Sequence, residues 1–235
     1  MDQEVLVYVV IVAVALVLGI CLWLRERHLL KKSVFRDKHS VGLVTGSDVA
    51  RRILAEAGID GVTIKPKDAT IQRSYFCPRR QCIVLTTESY YGCGMYGVMV
   101  AANCAENAVQ RVEAYRWIDI YLWLLPVMEW MSRMLPLFIF AGLFCVSFNP
   151  ILVGSLTLML WLLLLVGALL MRPIAQDASR RSVDWLLGQG LFIEEDREML
   201  QRAGRYLSNY NLWLVATAGL ALIGSRRRFL SSEQI

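Results

Sequence analysis

Twenty consecutive positions, residues 5–24, carry no charged side chain, and a second uncharged stretch covers residues 151–171. Helices rise about 1.5 Å per residue, so twenty residues cover roughly 30 Å, the thickness of a bilayer's hydrocarbon core. Composition agrees with a membrane reading. The chain is 56% hydrophobic and 19% charged, against about 45–50% and 25% for a soluble domain. So much apolar area to bury also excludes disorder. The net charge of +5 comes from 25 Lys and Arg, but these are not gathered into a basic stripe with interleaved aromatics, which argues against a nucleic-acid partner.

The first stretch reads as a retained anchor. A cleaved signal peptide opens on a basic region, whereas this chain opens Met1-Asp2-Gln3-Glu4 and places Arg25, Glu26 and Arg27 after the apolar run. Bulky Ile20 before Cys21 removes a lipoprotein reading. The second apolar block, residues 134–171, is broken by the turn dipeptide Asn149-Pro150. Its second limb is long enough to cross. Its first limb, residues 135–148, is short and borrows length from the aromatic run at residues 117–125, with kinks at Pro126 and Pro136. Residues 212–223 fit a buried or re-entrant helix, and with Tyr206-Leu207 they reach a thin crossing. Three or four membrane helices follow.

Sixteen of the 25 basic residues fall between Arg25 and Arg133 and six between Arg172 and Arg205, with none at the Asn149-Pro150 turn. The positive-inside rule then puts the N-terminus outside and the polar segments in the cytoplasm. The expected organisation is an anchor over 1–24, a cytoplasmic domain over 25–133, a transmembrane hairpin over 134–171, and a cytoplasmic helical segment with a terminal membrane-associated helix over 172–235. The fold class is a mainly α integral membrane protein with a small α+β cytoplasmic domain. The expected location is an inner or plasma membrane, and Arg226, Arg227 and Arg228 suit anionic headgroups. The spans carry no charged residue of the kind that marks an ion path.

Within the polar part, Thr45-Gly46-Ser47-Asp48 reads as a helix start, followed by Val49, Ile53 and Leu54 on one face and Gly58 at the end. Residues 62–65 alternate like a strand, and residues 73–87 read as a hairpin around Pro78-Arg79-Arg80-Gln81. After Gly92 and Gly94 a helix is predicted from about Met95 to Trp117. The cluster Glu194-Glu195-Asp196 marks another helix start. Glu129 and Arg133 form an i,i+4 pair suited to an interfacial salt bridge.

Four stretches, in this order, carry a resemblance: Thr45 through Arg51; Pro78-Arg79-Arg80 through Leu85-Thr86-Thr87-Glu88; Ala101-Ala102-Asn103-Cys104-Ala105-Glu106-Asn107-Ala108-Val109-Gln110; and Pro173-Ile174-Ala175-Gln176-Asp177-Ala178-Ser179-Arg180-Arg181. Together they resemble the YugP-like family of membrane zinc metallopeptidases over nearly the whole chain. The resemblance implies a helix with a His-Glu-x-x-His motif, in which two His four apart hold zinc and the Glu activates its water. In this chain the ligand positions are Asn103 and Asn107 and the base position is Cys104. The downstream acidic ligand implied by the resemblance falls at Ala175, leaving Asp177 from the surrounding motif. Neutral amides are poor zinc ligands. Glu106 is a neighbouring acid without an accompanying histidine, since the chain's two histidines are His28 and His39. No catalytic residue and no bound zinc are therefore expected.

Cys77, Cys82, Cys93 and Cys104 invite a thiol metal site, weighed against plain packing of reduced cysteines. Their spacing matches no ordinary zinc knuckle. The two Asn suit a hydrogen bond to each other or to Asp177 across a vacated pocket. The expected function is a catalytically inactive peptidase homologue that acts as a scaffold, regulator or subunit of a membrane protein complex, with lipids and other membrane proteins as partners. The alternative is an active membrane zinc metallopeptidase with an atypical site built on Cys104 and Glu106.

Overall fold

The computed structural model describes residues 44–67, 74–113 and 150–216, with single positions at 17, 21, 119, 120, 124, 127, 130 and 131. Most of the anchor, the first limb of the hairpin, His28, His39, the Glu129–Arg133 pair, residues 217–223 and the terminal arginines lie outside the described residues. The described residues divide into two compact units. Those within Met1–Arg27, Leu124–Met171 and Tyr210–Ile235 form one, and those within His28–Trp123 and Arg172–Asn209 form the other.

In the second unit, helix α1 (Gly46–Glu56) starts where its cap predicts. The Thr45 hydroxyl accepts the Asp48 amide at 3.2 Å, while the Asp48 carboxylate accepts the Thr45 amide at 3.3 Å and its hydroxyl at 2.7 Å. This is a capping box with Asp in place of the commoner Glu. The Thr45 hydroxyl, with help from Arg51, holds the Asp48 carboxyl below the usual carboxylate range. At the other end Gly58 takes φ +65°. It donates to Ala55 O while Ile59 donates to Leu54 O, so the last carbonyls are satisfied by a Schellman turn. Val49, Ala50, Ile53 and Leu54 form the buried face.

Strands β1 (Thr63–Lys67), β2 (Tyr75–Cys77) and β3 (Cys82–Thr86) form one sheet in the order β1-β3-β2. The expected hairpin is β2–β3, antiparallel, with Gln81 at φ +44° in its turn. β1 runs parallel to β3. Helix α2 (Thr87–Tyr91), absent from the sequence reading, follows β3 directly. It is nucleated by Thr86, whose hydroxyl accepts the Ser89 amide. Helix α3 (Met95–Val112) is shorter than expected. Val112 continues the apolar period, but it is 66% exposed and so supplies no packing to extend the helix.

Helix α4 (Pro150–Gly188) opens on its proline, where a missing N–H costs nothing. It runs on through the predicted polar boundary, and Gly190 at φ +63° closes it. A single 3-10 turn (Glu194–Asp196) leads into helix α5 (Arg197–Ala216), which includes the first part of the uncertain terminal segment. The core of this unit contains Ile83, Leu85, Met99, Leu186 and Leu200, all fully buried.

In the other unit, Leu164 and Ala168 pack with Leu124, Met131, Leu160, Trp161 and Leu165. Leu156, Met159, Leu163, Val166 and Leu170 are exposed. They recur at alternating spacings of three and four, one stripe of a helix. Among the described residues one helix is long and apolar enough to cross a membrane, Met159–Gly188 by length and composition, and only 22% of its apolar window is buried. A core helix of a soluble protein would be mostly covered. Charge places the apolar part before Arg172, because residues 172–188 bring in Arg172, Asp177, Arg180, Arg181 and Asp184. Among the described residues the protein is thus mainly helical, with a small three-stranded sheet and one candidate membrane helix.

Candidate functional site

Asn103, Glu106, Asn107, Gln110 and Glu113 follow one another at steps of three, one, three and three. In an α-helix these fall on one stripe, and here that stripe lies along α3 at its seam with the Arg172–Asn209 part of the same unit. Asn103 Nδ2 donates to Ser179 Oγ at 2.7 Å, and Asn107 Nδ2 donates to Asn103 Oδ1 at 3.5 Å. Two turns on, Gln110 Nε2 donates to Asp177 Oδ2 at 2.8 Å and to Ile174 O at 3.4 Å. Asn103 thus meets residue 179 and Gln110 meets residues 174 and 177, so the two helices run in opposite directions. Ala175, one turn before Ser179 and 5% exposed, lies level with the stretch of α3 that carries Asn107. Asn103, Glu106, Asn107 and Asp177 thus come together at one seam, while Cys104 is buried on α3 off that stripe.

The far end of the seam is charged. Arg181 pairs with Asp177 at 2.9 Å and with Glu113 at 2.6 Å. These contacts hold the Arg181 guanidinium more firmly protonated, the hydrogen bond to Glu113 first among them. Glu106 is 6% exposed. Burial is the main cause that pushes its carboxyl up to about 7, with Glu113 and Asp177 adding repulsion and Arg181 opposing it. Of the two bonds expected of these Asn, the one to each other forms, while the Asp177 carboxylate goes to Gln110 and Arg181. Gln110, Ser179, Arg181 and Glu113 carry roles that the sequence reading did not assign. Three of them stand inside the quoted motifs, and Glu113 continues the stripe one turn past Gln110, so the signal was present as spacing.

Glu106 also sets a pH dependence. An ordinary value of 4.5 in the unfolded chain and about 7 in the folded one mean that the folded state holds the proton more tightly. Stability is therefore highest below pH ~4.5 and falls as pH rises through about 7, by on the order of 3 kcal/mol. Thermal unfolding followed from pH 5 to 8 is expected to show this decline, and Glu106→Gln, which cannot ionise, is expected to flatten it. A decline of the same size in the variant would remove Glu106 as its source.

The seam's donor set does not fit zinc. Asn103 is occupied at both ends of its amide, and Ala175 offers no donor atom. Asn107 Oδ1 and Gln110 Oε1 are buried without a protein donor, yet neutral amide oxygens are not what zinc selects. Among the described residues no three His, Cys, Asp or Glu side chains gather in a way that could hold a metal. Cys77 and Cys82 pair across the hairpin, while Cys104 is buried on α3 and Cys93 sits in the turn before it.

The chain is 28% identical over 178 residues, 76% of its own length and 76% of the relative's, to the "Putative membrane protease YugP" of Bacillus subtilis (strain 168). No solved structure matches it. The profile of a family described as "Putative neutral zinc metallopeptidase" matches residues 6–223, which include both sides of the seam. The chain belongs to that zinc metallopeptidase family.

Proposed function

We propose that this chain is a catalytically inactive member of the family, an integral membrane protein that acts as a scaffold, regulator or subunit of a membrane protein complex. Its membrane part comprises three or four helices, with the N-terminus outside and the main polar domain in the cytoplasm. The observation that carries the reading is the Ser179–Asn103–Asn107 chain of hydrogen bonds, which occupies with neutral amides the positions where the family motif calls for imidazoles. The exposed apolar stripe on α4 supports contact with lipid or with another membrane helix.

Purification in mild detergent tests both halves of the proposal. The protein is expected to carry far less than stoichiometric zinc and to co-elute with at least one other membrane protein. Stoichiometric zinc that disappears in a Cys104→Ala, Glu106→Ala double variant would overturn the inactive reading.

One observation favours a second reading, an active peptidase with an atypical site. A carboxyl near neutrality is what a general base needs, and Glu106 is raised to about 7. Hydrolysis of a peptide library by the intact protein, abolished in Glu106→Gln, would establish that reading in place of the first.

A further inference from the structure

The outer face of the small sheet carries chemistry that the seam does not use. Successive side chains of a strand point to opposite faces, so the register sorts the sheet into rows. Ile64, Ile83 and Phe76 form one row, with Ile83 and Phe76 buried in the core. The adjacent row, on the opposite face, is Thr63, Cys82 and Cys77. The next row on that same outer face is Lys65, Val84 and Tyr75. Two thiols therefore stand directly opposite one another on antiparallel strands and on the same face of the sheet.

Directly opposed residues of an antiparallel pair hold their Cα atoms about 4.5 or 5.5 Å apart. Both values fall inside the roughly 4.4–6.8 Å that a disulfide spans. Cys82 is buried and Cys77 only half-buried, so the two differ in access. Burial pushes the Cys82 thiol up, and the cations of Lys65 and Arg80 act in the opposite sense, toward the thiolate. The pair also lies at a fastening point, because the carbonyl of the next residue, Pro78, accepts Arg111 Nη1 of α3 at 2.9 Å.

We propose that Cys77 and Cys82 form a reversible dithiol–disulfide couple that exchanges with low-molecular-mass disulfides. Cys77, the accessible thiol, attacks one sulfur of the small disulfide as its thiolate. An S–S bond forms to Cys77 as the small disulfide's own S–S bond breaks, and one thiolate leaves and takes up a proton. The Cys82 thiolate then attacks the Cys77 sulfur and expels the second thiolate. The two protons lost by the cysteines end on the two released thiols. The protein is oxidised by two electrons and the small disulfide is reduced by two. Oxidation clasps the turn end of the hairpin, which Arg111 ties to α3.

The full-length protein in detergent is equilibrated with glutathione and glutathione disulfide over a series of ratios, acid-quenched, alkylated, and mapped by peptide mass spectrometry. As the ratio becomes oxidising, Cys77 and Cys82 are expected to lose alkylation together, to near completion, and to appear as one linked peptide, while Cys93 and Cys104 stay alkylated. Cys82→Ser, a near-isosteric change, is expected to trap glutathione on Cys77, and Cys77→Ser to leave Cys82 unmodified. Full alkylation of both cysteines at the most oxidising ratio, or linkage of either to another cysteine, would overturn the proposal. Recovery on adding reduced glutathione to the oxidised protein is the expected sign of reversibility, and its failure would overturn that part.

Discussion

A chain carrying Asn103→His, Cys104→Glu, Asn107→His and Ala175→Glu is expected to co-purify with about one zinc ion, at least roughly tenfold more than the unaltered protein. Two His four apart on α3 project to one side of the helix. The opposed course of the two helices at the seam, with Asn103 meeting Ser179 and Gln110 meeting Ile174 and Asp177, carries residue 175 to their level. Three anionic or imidazole donors would then face one point, with a fourth position left for water, as catalytic zinc sites require. Metal analysis after gel filtration measures the outcome, and thermal unfolding with and without a chelator shows whether the metal is bound by the folded state. A folded quadruple variant without zinc would mean that Ala175 does not lie level with Asn107. Zinc at full stoichiometry in the unaltered chain would instead count against the inactive reading.

Gly46→Ala is expected to destabilise the polar unit by about 3 kcal/mol, a large share of the roughly 5–15 kcal/mol that holds a typical domain folded. A Cβ there would lie 2.1 Å from Ser89 O, 3.0 Å from the Ala101 Cβ and 3.3 Å from Gly97 O. Two of the three are backbone oxygens and the third is a short side chain on α3, so none can swing aside. The contrast is Gly188→Ala in the last turn of α4, where nothing lies within 4 Å of the new Cβ. That change is expected to be neutral or to stabilise by about 0.5–1 kcal/mol, since the helix loses a glycine. Denaturant unfolding of the two variants side by side measures the difference. Equal stabilities would show that α1 does not approach α2 and α3 as closely as Gly46 implies.

What was legible in the sequence was local. Thr45 and Asp48 marked the start of α1, and Pro78 to Gln81 marked the hairpin, because a cap and a turn are made by neighbours in the chain. The expected helix to Trp117 overran the end of α3 at Val112, since pattern alone does not tell that Val112 is left exposed. The parallel pairing of β1 with β3 was invisible because no short-range signal specifies which strand a solitary strand will join. At the seam, the amides of Asn103 and Asn107 and the methyl of Ala175 could be read from the sequence alone. The replacement network could not, because Gln110 finds Asp177 and Asn103 finds Ser179 across separations of 67 and 76 residues. Burial of Glu106, which sets its proton affinity, likewise depends on chain segments far away in sequence.

Strand β1 is hydrogen-bonded to β3 on one side only among the described residues. An open strand margin of this kind is a template on which a second copy can extend the sheet, and proteins crowded on a surface meet one another often. Here the margin includes Pro66, which has no amide to offer, flanked by Lys65 and Lys67. Backbone silence at one position and like charge on either side make edge-to-edge self-association unfavourable. The same five residues that complete the sheet thus also stop it from growing, so copies of this protein held at high local concentration are protected from sheet-driven clumping at that strand.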